Sequence, residues 1–153
     1  MRYLIFSMAV LFSLNASEVE VTANKFFADE VKKVSVFTGN VHVKKGTDEL
    51  KANKVVIEFN SKKEPLKYTA SGNAEVKMTI NGKKYFGKGE VLIYEPQKLK
   101  YTIKKNAFLE EIDTNKKVYG ENIYVDQANG HYEVDSKKDK PVKFIFKIED
   151  KKN

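Results

Sequence analysis

Residues 71–80 read SGNAEVKMTI, and this stretch decides the fold class. From Ala74 to Ile80 apolar and polar residues alternate, with Val76 and Met78 continuing the apolar series. Alternation is typical of a β-strand that buries one face, because successive side chains of a strand point to opposite faces. We therefore expect this stretch to form a half-buried strand.

An Asn81-Gly82 pair follows directly, and Asn-Gly between two extended runs is the strongest short-range signal of a β-hairpin. The same alternation appears in LKYTI at 99–103 and VKFIFKI at 142–148. No window of a dozen residues shows the 3.6-residue period of a helix. The sequence therefore predicts an all-β chain with antiparallel strands.

The strands are similar to one another. TGNVHV at 38–43 recurs after 33 residues as SGNAEV at 71–76, and more weakly as KNAFL at 105–109. Periods of this size indicate a stacked array of like units. Glycine adopts positive φ at no steric cost and asparagine tolerates it, so we expect the Gly-Asn motif to mark the point where the chain turns into its next strand.

A second repeated element lies between the copies of the first. It begins as ANKF at 23–26 and recurs as ANKV at 52–55, KGEV at 88–91 and GENI at 120–123. Aligned in this way, Val55, Val91 and Ile123 take equivalent positions, and the alignment predicts that all three point to the same face.

Alternate side chains of such a stack form one continuous apolar face. The alternation fits two structures equally: a sandwich closed on itself, or a partly open one whose apolar face is a groove for apolar chains. The predicted face, and hence the candidate lipid groove, consists of Val19, Val21, Val41, Val43, Val55, Ile57, Phe59, Val76, Met78, Ile80, Val91, Ile93, Tyr101, Ile103, Leu109, Ile123, Val125 and Phe144.

The two ends of the stack carry opposite charge. If Val19 and Val21 point inward, Glu18 and Glu20 lie on the outside of the first strand, whereas Lys143 and Lys147 lie on the outside of the last. Unpaired edge strands accept further strands, and a contact between two different edges forms open arrays. We predict head-to-tail self-association with these four residues as partner-edge residues.

Residues 1–16 differ in kind from the rest. Arg2 gives a positive start, residues 3–14 are an uncharged apolar run, and small or polar residues follow around Ala16. This pattern is typical of a secretory signal peptide, and the run is too short for an ordinary membrane span. We expect cleavage after Ala16 and a single exported domain at 17–153, with a retained anchor as the alternative.

Reactive chemistry is sparse in this sequence. Of 153 residues none is cysteine, which excludes disulfides, thiol nucleophiles and thiolate metal sites. The two histidines, His42 and His131, are far apart in sequence, and adjacent carboxylates on a strand point to opposite faces. We predict no enzyme activity, catalytic residues, metal or cofactor. A net charge of +7 with Arg2 as the only arginine does not favour nucleic acid as the partner of an exported chain.

Several of these stretches carry a family resemblance that covers the chain from about residue 18 to 148. FTGNVHVKKG at 37–46 and LKANKVVI at 50–57 resemble the signature of the OstA-like domain family of LptA-type lipopolysaccharide-transport proteins. KNAFL at 105–109 resembles the family's second copy, although Lys105 replaces its glycine, and PVKFIF at 141–146 resembles its closing strand.

The resemblance implies a fold and a function. The fold is an antiparallel β-jellyroll shaped like a folded taco, a partly open sandwich of repeated strand units. The function is that of a periplasmic carrier of lipopolysaccharide or lipooligosaccharide, which shelters lipid A acyl chains and bridges an LptC-like inner-membrane protein to an LptD-like outer-membrane protein through edge strands. Two alternatives stay open: a membrane-anchored LptC-like protein, and a closed extracytoplasmic β-sandwich with an adhesive or sugar-binding role.

Overall fold

The computed structural model describes residues 18–150, so the predicted signal peptide lies outside the described residues. Residues 18–150 contain no helix and form ten β-strands. These are β1 Val19–Thr22, β2 Lys25–Asp29, β3 Val34–Lys45, β4 Asp48–Phe59, β5 Pro65–Ile80, β6 Lys83–Glu95, β7 Lys100–Glu111, β8 Lys116–Asp126, β9 His131–Asp135 and β10 Lys143–Ile145.

All ten strands belong to one antiparallel sheet. Strands β3 to β8 pair in chain order as successive hairpins, β1 and β2 share the free side of β3, and β9 and β10 share the free side of β8. Within the described residues, no pairing joins the two ends of this order, so the sheet is open. The predicted all-β antiparallel jellyroll is confirmed, although its closing strand β10 spans only three residues.

The Gly-Asn motif does not lie at turns, so that expectation was wrong. Gly39-Asn40, Gly72-Asn73 and Lys105-Asn106 lie in the middle of β3, β5 and β7 and have φ angles of 82° and 45°, 83° and 47°, and 64° and 54°. At each site the strand carries one residue more than its neighbours, which is a β-bulge. The three bulges line up across the sheet, and we call this line the bulge row.

The bulge row divides each long strand into two halves, because a bulge bends its strand. We call the part that contains the Asn81-Gly82 turn the first wall and the other part the second wall. Strands β1 and β10 extend the first wall, whereas β2 and β9 extend the second. The walls fold towards each other: Ile103 of the second wall lies 3.3 Å from the position of a Cβ on Gly87 of the first.

Small residues on the inside of the fold occupy the bulge row. Ala52 lies opposite Val41, Ala74 opposite Gly89, and Ala107 opposite Gly120 in the sheet register. Ala74 is completely buried, with 0% of its surface exposed. A Cβ on Gly89 would lie 2.6 Å from Ile103, so no side chain fits there. The small residues allow the two walls to approach where the bend is tightest.

Candidate functional site

The face between the walls, which we call the core face, is lined mainly by apolar residues, and within residues 18–150 Ser35 is the buried polar residue among them. The buried apolar members of this face come from β3 to β8, and partly buried apolar residues of β1 and β9 pack against them. The buried apolar residues are Phe37, Val41, Ala52, Val55, Ile57, Ala70, Ala74, Leu92, Ile103, Ala107 and Ile123. Residues on the core face are small at the bulge row, as at Ala74 and Gly89, and larger away from it, as at Ile57 and Ile103.

The structure brings most of the predicted groove residues together on the core face. All of them except Val91 and Ile93 share the side of the sheet on which the buried cluster lies, as the pairing registers show. Val41, Val55, Ile57, Ile103 and Ile123 are buried there. Phe144 pairs with Val118 at the sheet end and keeps 57% of its surface exposed.

The predicted inward placement of Val91 and Ile93 was wrong. Val91 pairs with Ser71 and Ile93 with Thr69, so both lie on the opposite side, which we call the solvent face. The repeat alignment was displaced by one residue: Gly89, which lies opposite Ala74, takes the place of Ala52 on the core face. A displacement of one residue moves every side chain of a strand to the other face.

Sequence reasoning missed the residues that take those places. Leu92 is buried on the core face beside Ile103. Tyr94 follows it, with ring centroids 5.9 Å from Tyr68 and 4.6 Å from Tyr101, and both pairs are stacked. Leu92 and Tyr94 also alternate along the strand with Val91 and Ile93. Aligning Gly89 with Ala52 would have placed Leu92 and Tyr94 on the core face.

The margin of each wall that lies farthest from the bulge row, which we call its lip, carries tyrosine hydroxyls. Burial raises the pKa of Tyr101, with contributions from Tyr94 and, across the gap, from Asp48 of the first wall. Burial also raises the pKa of Tyr85 on the first wall, where Glu111 and, from the second wall, Tyr132 add to the rise. The lips therefore face each other and present hydroxyl groups that stay neutral at physiological pH.

Both ends of the sheet expose apolar residues of the core face. Phe26 of β2 is 40% exposed and stacks on Phe37, and Tyr132 of β9 is 67% exposed. These two residues belong to opposite ends of the strand order. Within residues 18–150, no further strand covers either end, so the core face continues to both free edges.

The predicted partner-edge residues lie at these two ends. Glu20 is on the solvent face of β1 opposite Lys44, and Glu18 precedes that strand. Lys143 is on the solvent face of β10 with its Nζ 4.9 Å from the ring centroid of Tyr119, and Lys147 follows β10.

His42 and Glu49 lie close together on the solvent face. Nε2 of His42 lies 2.5 Å from Oε1 of Glu49, and this hydrogen bond is the main cause that lowers the pKa of Glu49. His131 lies on β9, at the far end of the strand order. Residues 18–150 contain no group of three or more His, Cys, Asp or Glu side chains that could hold a metal ion. Nor does this range contain a helix long and apolar enough to cross a membrane.

Comparisons with known proteins agree with this architecture. The family described as LptA/(LptD N-terminal domain) LPS transport protein matches residues 20–131. Among solved structures, LptH of Pseudomonas aeruginosa, described as the LptA-homologous periplasmic component of the lipopolysaccharide transport device, is similar with a TM-score of 0.71 and 16% identity, covering 85% of this chain and 95% of that chain. No curated protein sequence matches. Because the family match spans most of the chain and the open antiparallel fold agrees with it, the chain belongs to the LptA/LptD N-terminal domain family of lipopolysaccharide-transport proteins.

Proposed function

We propose that the chain is a periplasmic carrier of lipopolysaccharide or lipooligosaccharide that holds the acyl chains against its core face. One observation carries the proposal: the core face is mainly apolar from one free edge of the sheet to the other, and both edges expose apolar side chains. The predicted signal peptide at residues 1–16 supports export, and family membership supports the choice of lipid.

The free energy of acyl-chain hydration favours transport on a protein over diffusion through water. Each methylene group of an acyl chain costs about 0.8 kcal/mol in water, so a glycolipid with several chains is strongly retained by a membrane. A continuous apolar face lowers that cost along the whole path. Sugars and phosphates stay in water beyond the tyrosines at the lips.

The walls also have a way to admit the chains. The two walls are halves of the same strands and are joined at the bulge row. Within the described residues, no backbone pairing links one lip to the other. Separating the lips would therefore break no strand pairing among residues 18–150. We propose that acyl chains enter between the lips, past the tyrosine hydroxyls, and pack on the apolar residues of the core face.

Photo-crosslinking from neighbouring residues tests this carrier function. Tyr94 is on the core face near the lip and Ile93 is on the solvent face, one residue away. We expect benzoylphenylalanine at position 94 to crosslink lipopolysaccharide in cells and the same probe at position 93 to crosslink little or none. Gel mobility with lipopolysaccharide immunodetection is the measurement.

This pair of probes also separates the groove from other surfaces. Equal labelling from both positions would mean that lipid binds the protein non-specifically. Labelling of protein alone from position 94 would favour a closed sandwich without lipid. The first ring of benzoylphenylalanine corresponds to the tyrosine ring that stacks between Tyr68 and Tyr101, and its benzoyl group extends from the position of the tyrosine hydroxyl.

We also propose that the chain forms bridges by joining unlike edges. Because β1 and β10 both extend the first wall, pairing β1 of one copy with β10 of the next would continue that wall. Pairing β2 with β9 would continue the second wall in the same way. LptC-like and LptD-like partners of similar fold would dock on the two terminal edges.

Charge reversal tests the polarity of this assembly. We expect Glu18→Lys with Glu20→Lys to lower the average mass of the protein in light scattering, since both edges would then be basic. Lys143→Glu with Lys147→Glu should restore it. A control with Glu90→Lys and Asp113→Lys, which lie away from the edge strands, should leave the mass unchanged. An unchanged mass in the first variant would exclude charge as the source of polarity.

A further inference from the structure

A cavity lies on the solvent face, on the opposite side of the sheet from the core face. It has a volume of about 480 Å³, within the range of small-molecule sites. Its floor is formed by Phe86, Phe108 and Tyr119 of three adjacent strands, and its rim by Lys88, Lys137 and Lys140.

The aromatic floor follows from the sheet register. Phe108 pairs with Tyr119 on one side and Lys88 on the other, and Phe86 lies two residues before Lys88 on the same face. Ring centroids are 6.1 Å apart for Phe86 and Phe108, and 4.8 Å apart for Phe108 and Tyr119. These aromatic rings lie on the side that the core does not use.

The far wall of this cavity is a detour of the chain. Strand β9 ends opposite Asn122 and β10 begins opposite Tyr119, so residues 136–142 span only a short stretch of β8. Lys137 and Lys140 form a β-bridge that shapes this detour into a turn beside the aromatic rings. Both lysines line the cavity, as does Pro141.

Charge and shape together indicate the class of ligand. Three lysines and one carboxylate, that of Glu121, line the cavity, so it favours an anion. The rings are inclined by 59° and 47° to each other, which makes a curved apolar trough. An apolar trough of aromatic rings suits the C–H-rich face of a sugar ring, and the tilt between neighbouring rings leaves no broad flat platform for a nucleobase.

We propose that this cavity binds a phosphorylated sugar, with the sugar ring on the Phe86, Phe108 and Tyr119 trough and the phosphate between Lys88, Lys137 and Lys140. The site is on the opposite side of the sheet from the core face. Binding there is therefore independent of the proposed acyl-chain binding. The phosphosugar would come either from a lipid headgroup or from a free glycan.

NMR titration of the mature chain tests the site with N-acetylglucosamine 1-phosphate as the probe. We expect the amide signals of Phe108 and Gly120 to shift, with an affinity about tenfold higher than for N-acetylglucosamine or inorganic phosphate alone. Lys137→Gln with Lys140→Gln should weaken binding by about fivefold, as should Phe108→Leu. Lys62→Gln with Lys63→Gln, in the β4–β5 turn, is the matched control and should have no effect.

Further titrations identify the source of the phosphosugar and can contradict the proposed binding site. Tighter binding of de-acylated lipopolysaccharide than of the free sugar phosphate would indicate a lipid headgroup, and equal binding a free glycan. The proposal fails if inorganic phosphate binds as well as the sugar phosphate, if adenosine monophosphate or a tetraglutamate peptide binds more tightly, or if nothing shifts. A Met78→Glu variant, altered only on the core face, should bind the probe normally even if the carrier function is disproved.

Discussion

Replacing Gly72 by alanine is expected to lower the free energy of unfolding by about 3 kcal/mol. Two effects contribute. Gly72 has φ +83°, a conformation that costs an L-residue about 1 kcal/mol or more. In addition, the new Cβ would lie 2.6 Å from Cβ of Asn53, and neither atom is at the end of a flexible chain. Urea denaturation followed by circular dichroism measures the loss.

The chain offers a control that separates the two effects. Gly82 has φ +77° and nothing within 4 Å of an added Cβ, so Gly82→Ala should cost only about 1 kcal/mol. Asn53→Gly should also recover much of the loss in Gly72→Ala, because it removes the atoms that collide. Equal losses for Gly72→Ala and Gly82→Ala would show that the contact with Asn53 is unimportant.

Replacing Met78 by glutamate is expected to lower the amount of lipopolysaccharide bound by at least about tenfold. Met78 lies on the core face near the lip of the first wall and is partly buried beside Tyr85. A carboxylate there stays hydrated in the empty protein. An acyl chain would strip that water away, at a cost of several kcal/mol for a charge without a partner.

The matched control is the adjacent Thr79→Glu. Thr79 is exposed on the solvent face, so this variant carries the same added charge without placing it on the core face. We expect it to retain lipid like the unaltered protein, with co-purified lipopolysaccharide quantified against protein. Equal losses in both variants would attribute the effect to net charge and contradict the proposed groove. Similar unfolding midpoints would show that the fold is intact.

The regular parts of this fold could be predicted from local sequence. Residues 71–80 lie within β5, and Asn81 and Gly82 have the positive φ angles of a tight hairpin turn. Period-two alternation depends only on which side chains are apolar, and tight turns depend on two residues. Both patterns can therefore be recognised without knowledge of the rest of the chain.

The errors arose where a motif has more than one structural use. Gly39-Asn40 and Gly72-Asn73 have φ angles that suit a turn and a bulge equally, so their place in mid-strand required the pairing register. A similar ambiguity shifted the repeat alignment of β6 by one residue, so Val91 and Ile93 were assigned to the wrong face. The cavity over Phe108 could not be predicted, because it depends on three strands and the 136–142 detour meeting in space.

The equal spacing of the bulges bears on how such chains change size in evolution. Gly39, Gly72 and Lys105 lie 33 residues apart. Each interval between them contains the end of one long strand, the whole of the next and the start of a third. Duplicating the segment between two bulges would insert one hairpin and lengthen the trough by about 10 Å, the width of two paired strands. The new junctions would join equivalent backbone conformations, so gene duplication could extend the span of a single subunit without a new core.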